Sequence, residues 1–195
     1  WAASRCGSGT EELDILFVPA DADLLPLAAP ERRVAVAGHL REAELSHALR
    51  SERLKRWVAL DQDPISVGTV SSNYHGSRVE AINGSVRTIL GRAQKLGTFD
   101  FIYAAGLYDY LAENVAVKLT ERCLQMLKPG GKFLLANFAK DIGVEGYMET
   151  FMNWPLIWRT ERDILAIIDK LKHPLADSSV TRGENGGVIY AVLTV

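Results

Sequence analysis

From about Arg33 to the last residue, short apolar runs alternate with segments of helical periodicity, and this alternation constrains the chain more than any other feature. Apolar runs fall at residues 33–38 (RVAVAG), 56–64 (RWVALDQDP), 77–85 (SRVEAINGS), 99–106 (FDFIYAAG), 132–138 (KFLLANF) and 186–195 (GGVIYAVLTV). Between them lie HLREAELSHALRSE (39–52), NVAVKLTERCLQMLK (114–128) and RTERDILAIIDKL (159–171), whose apolar residues recur at helical spacing. Thr160 stands where the last of these helices needs a cap, and KPGG (128–131) stops the one before strand five. Strands alternating with helices predict an α/β fold: a Rossmann-like, doubly wound, mostly parallel sheet with helices on both faces.

The remaining properties narrow the class. The chain is 48% hydrophobic and 24% charged, with 22 basic and 24 acidic residues, a balance that argues against a nucleic-acid partner. No run approaches the roughly 20 apolar residues of a membrane helix. Cys6 and Cys123 are far apart and read as free thiols of a reducing compartment, which implies a cytoplasmic location. His39, His47, His75 and His173 form no metal-ligand spacing. Without repeats or a linker, residues 1–195 read as one domain, with 1–31 an irregular N-terminal segment of what is expected to be a longer chain.

A glycine-rich RCGSGT (5–10) lies near the start of the sequence, but it has no apolar strand before it to make a cofactor loop. The alternative places the first strand at 34–37 and the loop at Ala37, Gly38 and His39. Asp61, roughly 20 residues farther on, then closes the second strand where a carboxylate can bind ribose hydroxyls. Asp63 offers a second carboxylate nearby. A nicotinamide-dependent dehydrogenase would want G-x-G-x-x-G after strand one, and AGHLRE lacks it.

The order VAVAGHLREAEL, VALDQDP, EAINGSV, FDFIYAAGLYDYL and LKPGGKFLLANF resembles the class I S-adenosylmethionine-dependent methyltransferases. GLYDYL (106–111) with YMETFMNWPLIWRTERDI (147–164) is similar to bacterial enzymes of the group making methyl 3-hydroxypalmitate, whose first loop usually reads S-G-P-x-R-E. The resemblance implies S-adenosyl-L-methionine as cofactor and methyl transfer to a small-molecule acceptor, such as the carboxylate of a hydroxy fatty acid. Ala37, Gly38 and His39 would then face the methionine moiety, Asp61 the ribose and Gln62 the adenine edge. Ser85 or the backbone of Val86 would hold the adenine amino group. Ala105 and Gly106 give the sulfonium end room, beside Tyr108 and Asp109 as acid–base candidates or as packing. Tyr147, Trp154 and Arg159 belong to a substrate cover or to an ordinary covering of the sheet. A degenerate binding domain without catalysis is the alternative, motivated by His39 and Ser85 where the family has other residues.

Overall fold

The computed structural model describes Leu13–Phe17 and residues 54–195. In chain order the elements are β1 (Leu13–Phe17), β2 (Leu54–Asp61), α1 (Pro64–Asn73), β3 (Val79–Asn83), α2 (Val86–Leu96) and β4 (Phe99–Ala104). A single 3-10 turn (Tyr108–Tyr110) leads to α3 (Glu113–Gln125), β5 (Leu127–Phe138), α4 (Glu145–Thr150), α5 (Glu161–Ile168), β6 (Asp177–Arg182) and β7 (Val188–Thr194).

The strands form one seven-stranded sheet in the order β3-β2-β1-β4-β5-β7-β6. β1 pairs in parallel with β2 and β4, β2 with β3, and β4 with β5. β7 runs antiparallel between β5 and β6. The sheet is therefore parallel except for β7, which lies second from one edge. Sequence order changes direction at β1: the chain winds outward to β3, then returns to place β4 on the other side. Such a switch point opens a crevice at the carboxyl ends of the strands.

Alternating side chains divide the strands between two apolar layers, as the period of two demands. Val58, Leu60, Ile102, Ala104, Phe133 and Leu135 pack with Ile89 of α2, Leu119 of α3 and Ile164 of α5. Trp57, Ala59, Phe101 and Leu134 point the other way, against Val70 of α1 and the adjoining Tyr74. Because both faces are covered, the central strands read as nearly continuous apolar runs rather than alternating ones.

Local signals set the helix starts. Asp63 caps α1 through bonds from the Ile65 and Ser66 amides, and Pro64 at the first position has no amide to leave unsatisfied. Thr160 caps α5 in a reciprocal box with Asp163, as its position in the sequence predicts. The KPGG turn lies inside β5 as an excursion, where the register with β4 jumps from Phe99↔Leu127 to Phe101↔Lys132. Gly131 is needed there, since a Cβ would sit 2.7 Å from the Lys128 carbonyl oxygen. The last residue closes on this turn: the Gly130 amide donates to the Val195 carbonyl and the Val195 amide to that of Gly131.

Two expectations change. The central position given to residues 34–37 is held by Leu13–Phe17, so part of the segment read as irregular is a strand. LDILF is an apolar run of strand length, but no glycine-rich turn follows it to mark it as the strand before a cofactor loop. Residues 34–42, with Ala37, Gly38 and His39, lie outside the described residues, as does RCGSGT. The other change is β6: DSSVTR has no apolar alternation, because an edge strand exposed on its faces needs none.

Candidate functional site

The carboxyl ends of β2, β3, β4 and β5 bring most of the expected residues to one edge of the sheet. Asp61 ends β2 and is buried, and its Oδ1 accepts the Asp63 amide at 2.9 Å. Its carbonyl accepts the Gly84 amide at 2.9 Å, which ties the ends of β2 and β3 together. Asp63 itself is committed to capping α1. Of the two carboxylates, Asp61 is therefore the one placed at the strand end without a capping duty. Gln62 follows half-buried, its carbonyl held by the Asn83 side-chain amide at 3.2 Å. Ser85 begins α2, its amide donating to Thr88 Oγ1, and Val86 is buried at the first helical position.

At the end of β4, Ala104 is buried, whereas Ala105 and Gly106 are half-buried. Gly106 has φ of 79°, in the left-handed region that favours glycine, and a Cβ there would meet nothing within 4 Å among the described residues. Among those residues, none crowds the backbone at Gly106 beside the switch point.

The turn that follows is tied to a distant segment. Arg159 Nη1 donates to the Tyr108 carbonyl and to Asn137 Oδ1, and Nη2 donates to the Leu111 carbonyl. The Ile157 amide donates to the Asp109 carbonyl at 2.7 Å, and the Trp154 indole donates to the Tyr110 hydroxyl. Each of residues 108–111 thus accepts a hydrogen bond from residues 154–159. Asn137 joins the two, its Nδ2 donating to the carbonyls of Phe138 and Ile157. Phe138 contacts the rings of both Trp154 and Trp158, with centroids 6.0 and 5.8 Å away.

Three of the expected site residues are buried and bonded within this lacing. Tyr108 is fully buried, its hydroxyl bonded to Thr120 Oγ1 at 2.7 Å, and burial raises its pKa well above that of a free phenol. Its side chain packs in the core. Asp109 is 2% exposed and its Oδ1 accepts the Phe138 amide at 2.6 Å, so it is placed to hold backbone rather than to take a proton from an acceptor. Burial pushes its pKa up to about 6, against the opposing effects of the Phe138 amide and the Arg159 charge. Arg159 is 4% exposed, and its guanidinium is spent on internal acceptors rather than presented to a substrate carboxylate. Sequence reading missed Asn137, which organises the same network; an asparagine in an otherwise apolar strand end was its signal.

The other cover residues divide by exposure. Trp154 is half-buried in the aromatic group, whereas Tyr147 is 60% exposed and stacks on Phe151, itself 79% exposed. Met152 and Ile157 are exposed nearby. Among the described residues, no group of three or more His, Cys, Asp or Glu could hold a metal ion, and no helix is long and apolar enough to cross a membrane.

No protein-family model and no curated protein matches the sequence. Solved structures do match. N-methyltransferase NodS from Bradyrhizobium japonicum WM9, in complex with S-adenosyl-L-homocysteine, aligns with TM-score 0.59 and 16% identity over 99% of this chain and 83% of its own. Magnesium protoporphyrin IX methyltransferase from Synechocystis PCC 6803, with the same ligand bound, aligns with TM-score 0.59 and 11% identity over 99% and 77%. A possible exported protein from Bordetella parapertussis gives TM-score 0.65 and 14% identity over 94% of this chain. The chain spans 62% of that protein and 51% of the pyocyanin biosynthetic protein PhzM. At these identities the likeness is one of fold. The chain has the Rossmann-like α/β fold of S-adenosylmethionine-dependent methyltransferases.

Proposed function

We propose that the chain binds S-adenosyl-L-methionine along the carboxyl edge of the sheet and transfers its methyl group to a small-molecule acceptor. The observation that carries this reading is the pairing of Asp61, at the end of β2, with the open backbone at Gly106, at the end of β4. The two flank β1, where the strand order reverses. Both fit the proposed cofactor, a carboxylate suiting a ribose diol and an uncluttered backbone suiting a sulfonium group.

The cofactor would supply an electrophilic methyl group. Asp61 would accept hydrogen bonds from the ribose, Gln62 would lie against the adenine, and Ser85 or the Val86 amide would contact its amino group. Ala37, Gly38 and His39 keep their assignment to the methionine moiety as part of this proposal. Ala105 and Gly106 would leave the reacting centre accessible. Alignment of acceptor, methyl and sulfur then supplies much of the rate.

The acceptor we favour is a carboxylate on an apolar chain, such as a hydroxy fatty acid. A carboxylate is already ionised at neutral pH and needs no general base. That agrees with a turn after β4 whose Tyr108 and Asp109 are buried and internally bonded. Exposed Tyr147, Phe151 and Met152 would meet the acyl chain. With Arg159 occupied, the acid group is oriented by other means. The cytoplasmic setting expected of the two thiols belongs to the same proposal.

Calorimetric titration with S-adenosylhomocysteine and with NADH tests the cofactor, and labelled methyl transfer to 3-hydroxy fatty acids, amines and phenols tests the acceptor. The reading expects binding of the first ligand alone and labelled ester. Transfer only to amines or phenols overturns the acceptor; binding of neither ligand leaves a degenerate domain.

A further inference from the structure

We propose that Arg159 is a positioning residue that joins the segment 154–159 to the turn after β4 and so fixes the wall of the acceptor site. The role of that wall rests on the methyl-transfer reading; the mechanical coupling does not.

Three observations carry the inference. The guanidinium reaches both ends of the turn, donating to the Tyr108 carbonyl at one end and the Leu111 carbonyl at the other. The Tyr108 carbonyl opens the 3-10 turn and also accepts the Leu111 amide, whereas the Leu111 carbonyl lies at the exit of the turn. Without Arg159 each would lose a charged donor beside the core, and losing a donor at a buried acceptor is costly. Second, Arg159 is itself held by strand β5, through Asn137 Oδ1 on the side chain and through bonds of its backbone with Phe138 and Lys140. Third, the residues before it leave the protein's surface only gradually: Ile157 and Trp154 bond to the turn, while residues 147–152 carry exposed aromatic and sulfur-containing side chains.

The anchored portion and the exposed portion are therefore successive parts of one segment. Residues 154–159 move with the turn after β4, and α4 with residues 151–152 is the part left to adjust to an acceptor. An arginine suits this place because its planar fork presents donors in two directions. A lysine ammonium is a compact charge and cannot span both carbonyls at once. The partial neutraliser is Asp109, whose carboxylate interacts electrostatically with the guanidinium while holding the Phe138 amide.

Hydrogen exchange of the intact chain tests the coupling, comparing wild type with Arg159→Lys. Amides of residues 145–158 and 108–111 are expected to exchange at least tenfold faster, with those of β2 and β3 unchanged. Acceleration spread evenly over the chain, or none in these two segments, overturns the proposal. If Arg159→Lys does not fold, Asn137→Ala removes the same guanidinium acceptor and the bonds to Phe138 and Ile157, and the same pattern is expected. In the kinetic arm, acceptor KM should rise several-fold in either variant while the dissociation constant for S-adenosylhomocysteine stays within twofold. An unchanged acceptor KM beside a changed exchange pattern overturns the assignment to the acceptor wall. Wild-type protein that binds no S-adenosylhomocysteine defeats the methyl-transfer reading, whereas the exchange comparison still decides the coupling.

Discussion

Trp154 donates its indole N–H to the hydroxyl of Tyr110, joining two aromatic residues 44 positions apart in sequence. The bond places the half-buried part of the cover directly on the turn that follows β4. A tryptophan N–H withdrawn from water usually finds an acceptor. Tyr110 provides that acceptor, and Phe138 provides the adjoining ring.

Replacing Asp61 should weaken the cofactor without unfolding the sheet. Asp61→Ala removes a buried carboxylate from the end of β2, together with its bond from the Asp63 amide. A charge-assisted hydrogen bond contributes roughly 1.5–3 kcal/mol, so affinity for S-adenosylhomocysteine should fall about tenfold or more. Calorimetry checks this, and unchanged affinity removes Asp61 from the site.

Tyr108→Phe should cost stability and spare catalysis. The phenol donates within the core to Thr120, whose own hydroxyl bonds the Ala116 carbonyl. Losing that bond should lower unfolding free energy by about 1 kcal/mol, measured in urea. A large loss of turnover with native stability would return Tyr108 to the reacting centre.

Asp109 makes stability depend on pH in an unusual direction for a carboxylate. Its native pKa is raised from 3.8 to about 6, chiefly by burial. The folded state therefore holds the proton more tightly than the unfolded chain does. The stability this provides is complete below the unfolded pKa and is lost as pH rises through about 6. The change is on the order of 3 kcal/mol. Asp109→Asn cannot ionise yet keeps an acceptor for the Phe138 amide, so it should flatten the fall in stability across this window. Denaturation curves at pH 4, 6 and 8 check the sign.

Gly106→Ala should act on both backbone and binding. At φ of 79° an L-residue is strained by about 1 kcal/mol, and the added methyl would occupy the open space beside the end of β4. Thermal unfolding should shift down slightly and cofactor affinity should fall. A variant with lowered melting temperature but wild-type affinity would place the cofactor elsewhere.

Strands β2, β4 and β5 and the late helices were legible because their signals are local. VALD, FDFIYA and KFLLANF are long apolar runs, and Thr160 announces its helix with Asp163 three residues later. The position of β1 was not, since LDILF has the same composition as a buried strand anywhere and no glycine turn follows it. DSSVTR carries no pattern because it is an exposed edge strand. The place of Asp61 after an apolar strand was legible. The burial and internal bonds of Tyr108 and Arg159 were not, because sequence displays a polar group but not whether the fold has already given it a partner.

The reversal of β7 also decides where anything fused to the carboxyl terminus would emerge. β7 starts beside Phe138 and finishes beside Lys132, and Val195 is stitched to the glycines of the KPGG turn. That turn lies at the amino ends of the parallel strands, the side of the sheet away from Asp61 and Gly106. A tether appended after Val195 would therefore leave on the side opposite Asp61 and Gly106, with the edge carrying those residues turned toward solution.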